Sequence, residues 1–287
     1  YVNPIATLSE GRTRYGVLLR EDGHVFDDGT ISRLGRQRFF LTTSTAHAEA
    51  VLRHFEYYAQ VIWPQLRVHI SDVSERWAAV AVAGPFAPRL LELAFGLDTS
   101  PPALPFLVAR ELQLAGVEAR LLRVSFSGEW GCELYVPADY GASLFEHLLA
   151  CGRSLGVVPY GLEALNILRI EKGHPAGPEI DGRTTLADLG LDRFAADKPF
   201  IGRPMMQRPG LADASRPRLA ALIAREQRPI RAGALLFAED RFRPHLEKLG
   251  HVTSAAFSPT LGAEIALALV RRAPEWHGRT LYASSPL

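Results

Sequence analysis

Two adjacent carboxylates, Asp27 and Asp28, and the more distant Glu133 are the residues best placed by type and spacing to do acid–base chemistry. Consecutive side chains of an extended segment point to opposite faces, so one member of the Asp27-Asp28 pair can be buried while the other is solvated. A buried carboxylate can hydrogen-bond a substrate amine or act as a general base, with desolvation and neighbouring charge setting its protonation state. Glu133 follows Ser125-Phe126-Ser127-Gly128-Glu129-Trp130-Gly131-Cys132, whose two glycines permit a tight hairpin; period-two alternation then puts Glu133 and Tyr135 on one face. An inward Glu needs hydrogen-bond donors, and the N–H groups of a flat heterocycle are suitable ones. Spacing alone also fits an ordinary acidic turn at 27–28 and a salt-bridged Glu133.

Other candidates carry blander chemistry. Arg169 and Glu171 flank Ile170 ahead of Lys172-Gly173-His174, a charged helix end in which structural ion pairing is expected. His174 is expected to be a cap or surface residue rather than a catalytic one, although imidazoles titrate near neutral pH. Ser125 and Ser127 lack the neighbours of a nucleophile elbow, which argues against acyl transfer. No phosphate loop, dinucleotide fingerprint or HExxH pair is present, so this chain by itself is not expected to bind FAD, NAD or zinc, and no metal site is expected.

The elements that must position these residues follow from periodicity and turn chemistry. Residues 14–19 and 39–42 read as strands, with turn residues at Gly23 and at Asp27-Asp28-Gly29. An amphipathic helix is predicted over 46–61, ending before Pro64, followed by a strand-like alternation at 67–73. Residues 77–83 read as a strand leading into a helix over 88–95; 117–126 and 132–136 read as paired strands, and 140–149 and 161–171 as helices. Residues 204–218 have a linker's composition, and from Leu219 short strands separated by turns suggest a small β-barrel. The predicted class is α+β.

With 287 residues, two or three packed units are expected. A hydrophobic fraction of 47% with 22% charged residues lies near the globular average and excludes a disordered, collagenous or coiled-coil chain. The net charge of +1 gives no reason to expect nucleic acid or an anionic membrane as partner. The Arg216/Arg218 and Arg271/Arg272 pairs are expected on the solvated surface. Cys132 and Cys151 are too few for a disulfide framework, which fits a reducing cytoplasm, and neither a membrane span nor a secretory signal is recognisable. A chain that begins at Tyr1 without Met is expected to be a piece of a longer polypeptide.

Four ordered blocks resemble the aminomethyltransferase family, which includes the glycine cleavage T-protein and the folate-binding parts of sarcosine- and dimethylglycine-oxidising enzymes. They are Tyr15 with Asp22-Gly23-His24-Val25-Phe26-Asp27-Asp28; Ser127-Gly128-Glu129-Trp130-Gly131-Cys132-Glu133-Leu134; Leu168-Arg169-Ile170-Glu171; and Gly250-His251-Val252-Thr253-Ser254 continuing through Ser258-Pro259-Thr260-Leu261-Gly262. Within the family, Tyr15-Gly16-Val17-Leu18-Leu19, Phe26-Asp27-Asp28-Gly29-Thr30, Arg169-Ile170-Glu171-Lys172-Gly173-His174 and Thr184-Thr185-Leu186-Ala187-Asp188-Leu189-Gly190 are most similar to the C-terminal region of the alpha subunits of heterotetrameric sarcosine oxidases.

The resemblance implies an aminomethyltransferase-like folate-binding fold of antiparallel sheets with helices over 1–210, N-terminally incomplete, and a C-terminal β-barrel domain over 211–287 that lacks its final strand. By motif, Asp28 matches the family's essential aspartate near N10 of tetrahydrofolate, Glu133 its pterin-binding glutamate and Tyr15 a tyrosine of the folate pocket. Phe126 stands where glycine-cleavage proteins usually carry Tyr, and Leu165 where they usually carry Arg; both departures favour an oxidase-type site. The implied cofactor of this chain is tetrahydrofolate, with FAD, FMN and NAD only in the complete enzyme, and the implied partners are a flavin-bearing beta subunit and smaller subunits. The implied activity passes the one-carbon unit of the methylene imine formed from sarcosine to tetrahydrofolate. A free-standing aminomethyltransferase and a non-catalytic folate-binding regulatory protein are the alternatives.

Overall fold

A computed structural model describes residues 1–226, 228–240 and 245–284. Strands β1 (Arg12–Leu19), β2 (Val25–Gly35) and β3 (Arg38–Leu41) form a three-stranded sheet in that order. Asp27-Asp28-Gly29 lies inside β2 rather than in a turn. Side-chain hydrogen bonds hold both carboxylates in the extended backbone, and Gly29 is required by a close approach: a Cβ there would lie 1.9 Å from the carbonyl oxygen of Thr42.

Helix α1 (Ala48–Tyr57) continues as a wider helical turn, Tyr58–Ile62, and stops before Pro64, as its periodicity predicts. The alternating residues at 67–73 do not form a strand; they run mostly exposed and pair with no strand among the described residues. Strand β4 (Trp77–Ala83) leads into α2 (Ala87–Phe95), which opens with Pro88 and ends at left-handed Gly96. Strands β5 (Ala109–Leu114), β6 (Val117–Leu122) and β7 (Gly131–Pro137) complete an antiparallel sheet of order β4-β7-β6-β5, with β5 not anticipated from sequence.

One face of this sheet, with Val82, Leu121, Cys132, Leu134 and Val136, packs on Leu90 and Leu91 of α2 and on Leu144 and Leu148 of α3 (Gly141–Cys151). Burial of each such side chain stabilises the fold by roughly 1.5–3 kcal/mol. The other face presents Leu122 and Tyr135, which cluster with Phe40 and Trp77. The helices thus leave Glu133 and Tyr135 on the face away from themselves.

The chain divides into two compact units, one comprising residues 5–16 and 27–159, the other 1–4, 17–26 and 160–287. The second contains α4 (Leu162–Lys172), the single-turn helices α5 (Arg203–Met206) and α6 (Pro209–Ala212), and a barrel-like antiparallel sheet. Its strands are β8 (Pro217–Ile223), β9 (Leu235–Phe237), β10 (Gly250–Ser258), β11 (Ala263–Arg271) and β12 (Tyr282–Ala283), in the order β12-β9-β10-β11-β8. Ile170 of α4 packs on Ile265 and Leu267 of β11. Arg216, expected on the solvated surface, instead bonds buried Asp188 at 2.6 Å, because Asp188 has left water and needs a cation.

Candidate functional site

Tyr15 on β1 and Asp28 on β2 stand side by side, and the Tyr15 hydroxyl donates to Oδ2 of Asp28 at 2.8 Å. Burial pushes the Asp28 carboxyl up to about 6, outweighing the downward pull of the Tyr15 hydrogen bond, while the charge of Asp27 pushes it further up. Burial, and then the charge of Asp28, raises the Tyr15 phenol, which therefore remains a donor throughout the neutral range. A carboxyl poised near 6 can take and return a proton around neutral pH.

Asp27 is only 1% exposed. It accepts hydrogen bonds from the Ser44 backbone N–H at 3.1 Å, from the Ser44 hydroxyl, and from Nδ1 of His47 at 3.1 Å. Alternation along β2 separates the partners of the two carboxylates, but neither is simply solvated. Ser44 and His47, in the turn between β3 and α1, were not singled out from sequence. They lie 17 and 20 residues from Asp27, and no local pattern marks the pairing.

Glu133 does share a face with Tyr135, whose hydroxyl donates to its Oε2 at 2.5 Å. Burial raises the Glu133 carboxyl above the usual range against the lowering effect of this bond. The expected salt bridge is replaced by a tyrosine. The Tyr135 ring meets Phe40 edge-on, with centroids 5.1 Å apart. Opposite it in the strand register, Arg120 lies over Phe40 at 4.7 Å and over Trp77 at 4.0 Å. Cation–π contacts of this kind contribute about 0.5–2 kcal/mol each, so Arg120 and Phe40 fix the tyrosine that orients Glu133.

Phe126 occupies the 123–130 loop between β6 and β7 and is 39% exposed. Gly128 adopts φ +94°, and the Ser125 hydroxyl accepts from its N–H at 3.0 Å while donating to the Glu129 carbonyl at 2.6 Å. Ser125 therefore braces the hairpin turn. Tyr15, Asp28, Phe126 and Glu133 all fall in the same compact unit, two of them paired directly and Glu133 held separately by Tyr135.

Outside this set, Arg169 and Glu179 form a buried ion pair at 2.7 Å. Ser254 both accepts from Arg169 and donates to Glu179, each at 2.6 Å. A bulge in β10 between Val252 and Ser254 coincides with this contact, and bulges re-aim side chains. Ion pairing at the helix end is thus present, with Glu179 rather than Glu171 as the partner. The backbone N–H of His174 caps α4 by donating to the Arg169 carbonyl at 2.9 Å; burial of its imidazole lowers the pKa to about 4. Burial pushes the Cys132 thiol up to about 12, which makes it a poor nucleophile. Among the described residues, no group of three His, Cys, Asp or Glu side chains is arranged to hold a metal ion, and no helix is long and apolar enough to cross a membrane.

Helix-backed antiparallel sheets followed by a barrel-like C-terminal sheet are accounted for by one class of protein. The chain belongs to the glycine cleavage T-protein, or aminomethyltransferase, family: residues 1–198 match the GCVT N-terminal domain and residues 218–285 the glycine cleavage T-protein C-terminal barrel domain. It is 44% identical over 292 residues to the sarcosine oxidase subunit alpha of Rhizobium meliloti, a match covering 100% of this chain and 30% of that one. It is 33% identical over 275 residues to the aminomethyltransferase of Streptomyces coelicolor, covering 94% of this chain and 71% of that one. The crystal structure of glycine cleavage system aminomethyltransferase T from Bartonella henselae superimposes with a TM-score of 0.83 at 28% identity, covering 99% of this chain and 75% of that chain. The chain thus spans under a third of the sarcosine oxidase alpha subunit that it matches along its whole length.

Proposed function

We propose that this chain is the folate-binding part of a sarcosine oxidase alpha subunit, working in the cytoplasm with a flavin-bearing beta subunit and smaller subunits. It receives the methylene imine formed when sarcosine is oxidised at the partner's flavin and passes the one-carbon unit to tetrahydrofolate, giving glycine and 5,10-methylenetetrahydrofolate. FAD, FMN and NAD belong to the complete enzyme. A folate unit at 1–210 and a small barrel at 211–287 are the corresponding domains.

The observation that carries this function is the Asp28 carboxyl, raised to about 6 by burial and held by Tyr15, in the same compact unit as the burial-raised Glu133. The donor set fits a reduced pterin: Glu133, with Tyr135 on one oxygen, accepts from ring N–H groups, and Phe126 and Tyr15 supply aromatic surface. Asp28 orients the folate nitrogens and takes the proton that N10 gives up as it bonds to the one-carbon unit. Positioning of the imine against the folate nitrogens replaces a bimolecular encounter.

Asp28→Asn keeps the shape and removes the charge. In the assembled enzyme, folate binding measured by calorimetry is expected to persist while the methylenetetrahydrofolate yield falls by about a hundredfold, the scale of a lost general base. An unchanged yield would remove Asp28 from the chemistry. A free-standing aminomethyltransferase is the second reading, favoured by the 71% coverage of the Streptomyces coelicolor relative. Phe126 and Leu165 weigh against it, and co-purification of a flavin-containing complex from the native source distinguishes the two.

A further inference from the structure

We propose that His47 is a positioning residue for the one-carbon transfer: held by Asp27, it sets the charge beside Asp28 and so the pH range over which Asp28 works. This inference rests on the function proposed above and adds a residue to it.

The geometry begins at Asp27. That carboxylate is 1% exposed and makes three hydrogen bonds, all to the turn between β3 and α1. Two come from Ser44 and suffice to tie the turn to β2. The third, from Nδ1 of His47 at 3.1 Å, fixes the tautomer, with the proton on Nδ1 facing Asp27 and the basic electron pair on Nε2. The imidazole of this pair is 38% exposed and the carboxylate is buried, so the contact joins a partly solvated group to one sealed from solvent.

Asp27 is the chain neighbour of Asp28, and its charge opposes ionisation of Asp28. An imidazolium at position 47 offsets that charge and favours ionisation; a neutral imidazole does not. Titratable groups around His47 include Asp27 and Asp28 from β2 and Tyr15 from β1. Glu49, on the first turn of α1, is exposed and paired with Arg53. His47 reaches Asp27 from the turn while Tyr15 holds Asp28, so a charge at position 47 acts on Asp28 without disturbing the bond between Tyr15 and Asp28.

The proton ledger of the reaction requires such tuning. Two C–N bonds form between the one-carbon unit and N5 and N10, the C=N bond of the imine breaks entirely, and the two protons from N5 and N10 end on the nitrogen of glycine. No oxidant is consumed in this step. A carboxyl that both takes and returns protons works only near its own pKa, so a neighbouring charge that moves that pKa moves the pH dependence.

The test uses two variants in the assembled enzyme, His47→Gln, which can still donate to Asp27 and is never charged, and His47→Lys, which is always charged. The methylenetetrahydrofolate yield is measured from pH 5 to 8, and folate affinity by calorimetry at each pH. The expected result is displacement of the acid limb in opposite directions, up by about half a pH unit or more in His47→Gln and down by a similar amount in His47→Lys, the scale of one neighbouring charge. Folate affinity changes less than threefold in either variant. Limbs that coincide with wild type, or that move the same way in both variants, overturn the role of His47 while leaving the proposed function intact. A wild-type enzyme that binds no folate overturns that function, and the inference with it.

Discussion

Asp28→Asn should make the protein more stable at neutral pH while removing its activity, because the wild-type carboxylate is held against its preference for water. Its carboxyl moves from an ordinary 3.8 to about 6 on folding, burial being the largest cause. At about 1.36 kcal/mol for each unit, the ionised group costs the native state about 3 kcal/mol once both folded and unfolded forms have titrated. The sign follows from proton counting. Between 3.8 and about 6 the native state binds the extra proton, so this group's contribution is fully present below pH 3.8 and is lost as pH rises through 6. Asn has no such dependence. The assay is thermal unfolding of wild type and Asp28→Asn at pH 4 and pH 8, followed by tryptophan fluorescence; Trp63, Trp77 and Trp130 lie in the same unit as Asp28 and only Trp276 in the other. A constant offset from the substitution cancels between the two pH values. The variant should gain about 5–10 °C relative to wild type on going from pH 4 to pH 8, at about 2–4 °C per kcal/mol. An equal difference at both pH values would refute the placement of a buried, raised carboxyl at position 28.

Glu133→Ala should weaken folate binding by about tenfold or more in calorimetry of the assembled enzyme, the scale of a lost charge-assisted hydrogen bond; equal affinity would take Glu133 out of the site. Arg169→Ala leaves Glu179 buried without its cation and should cost about 3–5 kcal/mol, read from the unfolding of the unit that contains Trp276, whereas replacing both partners by apolar residues of similar volume should cost far less. Gly29→Ala drives a methyl group into the Thr42 carbonyl and should destabilise the β2–β3 pairing by about 3 kcal/mol or more; wild-type stability would show that β3 does not approach Gly29 so closely.

Much of the fold was legible because most of its elements are locally determined. The apolar run at 77–83, the proline-opened helix after it and the Gly128 turn ahead of β7 each carry their signal within a few residues. Where local pattern and structure differ, a distant partner is decisive. Residues 67–73 alternate like a strand but pair with no strand among the described residues, while the Glu- and Gln-bearing β5 is a strand because β6 supplies its ladder. Arg216 looked like surface charge and is a counter-ion, since Asp188 lies 28 residues upstream.

At the site, sequence by itself determined that Asp27 and Asp28 must face opposite ways in an extended backbone and that Glu133 and Tyr135 must share a face, because both follow from the period of two in a strand. The ordered motifs determined the family, which the domain matches bear out. Only the tertiary structure decided which carboxylate is clamped and which is poised. Asp27 is fixed by Ser44 and His47 from a turn beyond β3, whereas Asp28 has the Tyr15 hydroxyl and the surrounding burial that lifts it to about 6. Protonation depends on the dielectric and on charges assembled from three separate segments, and no stretch of sequence contains that environment until the chain has folded.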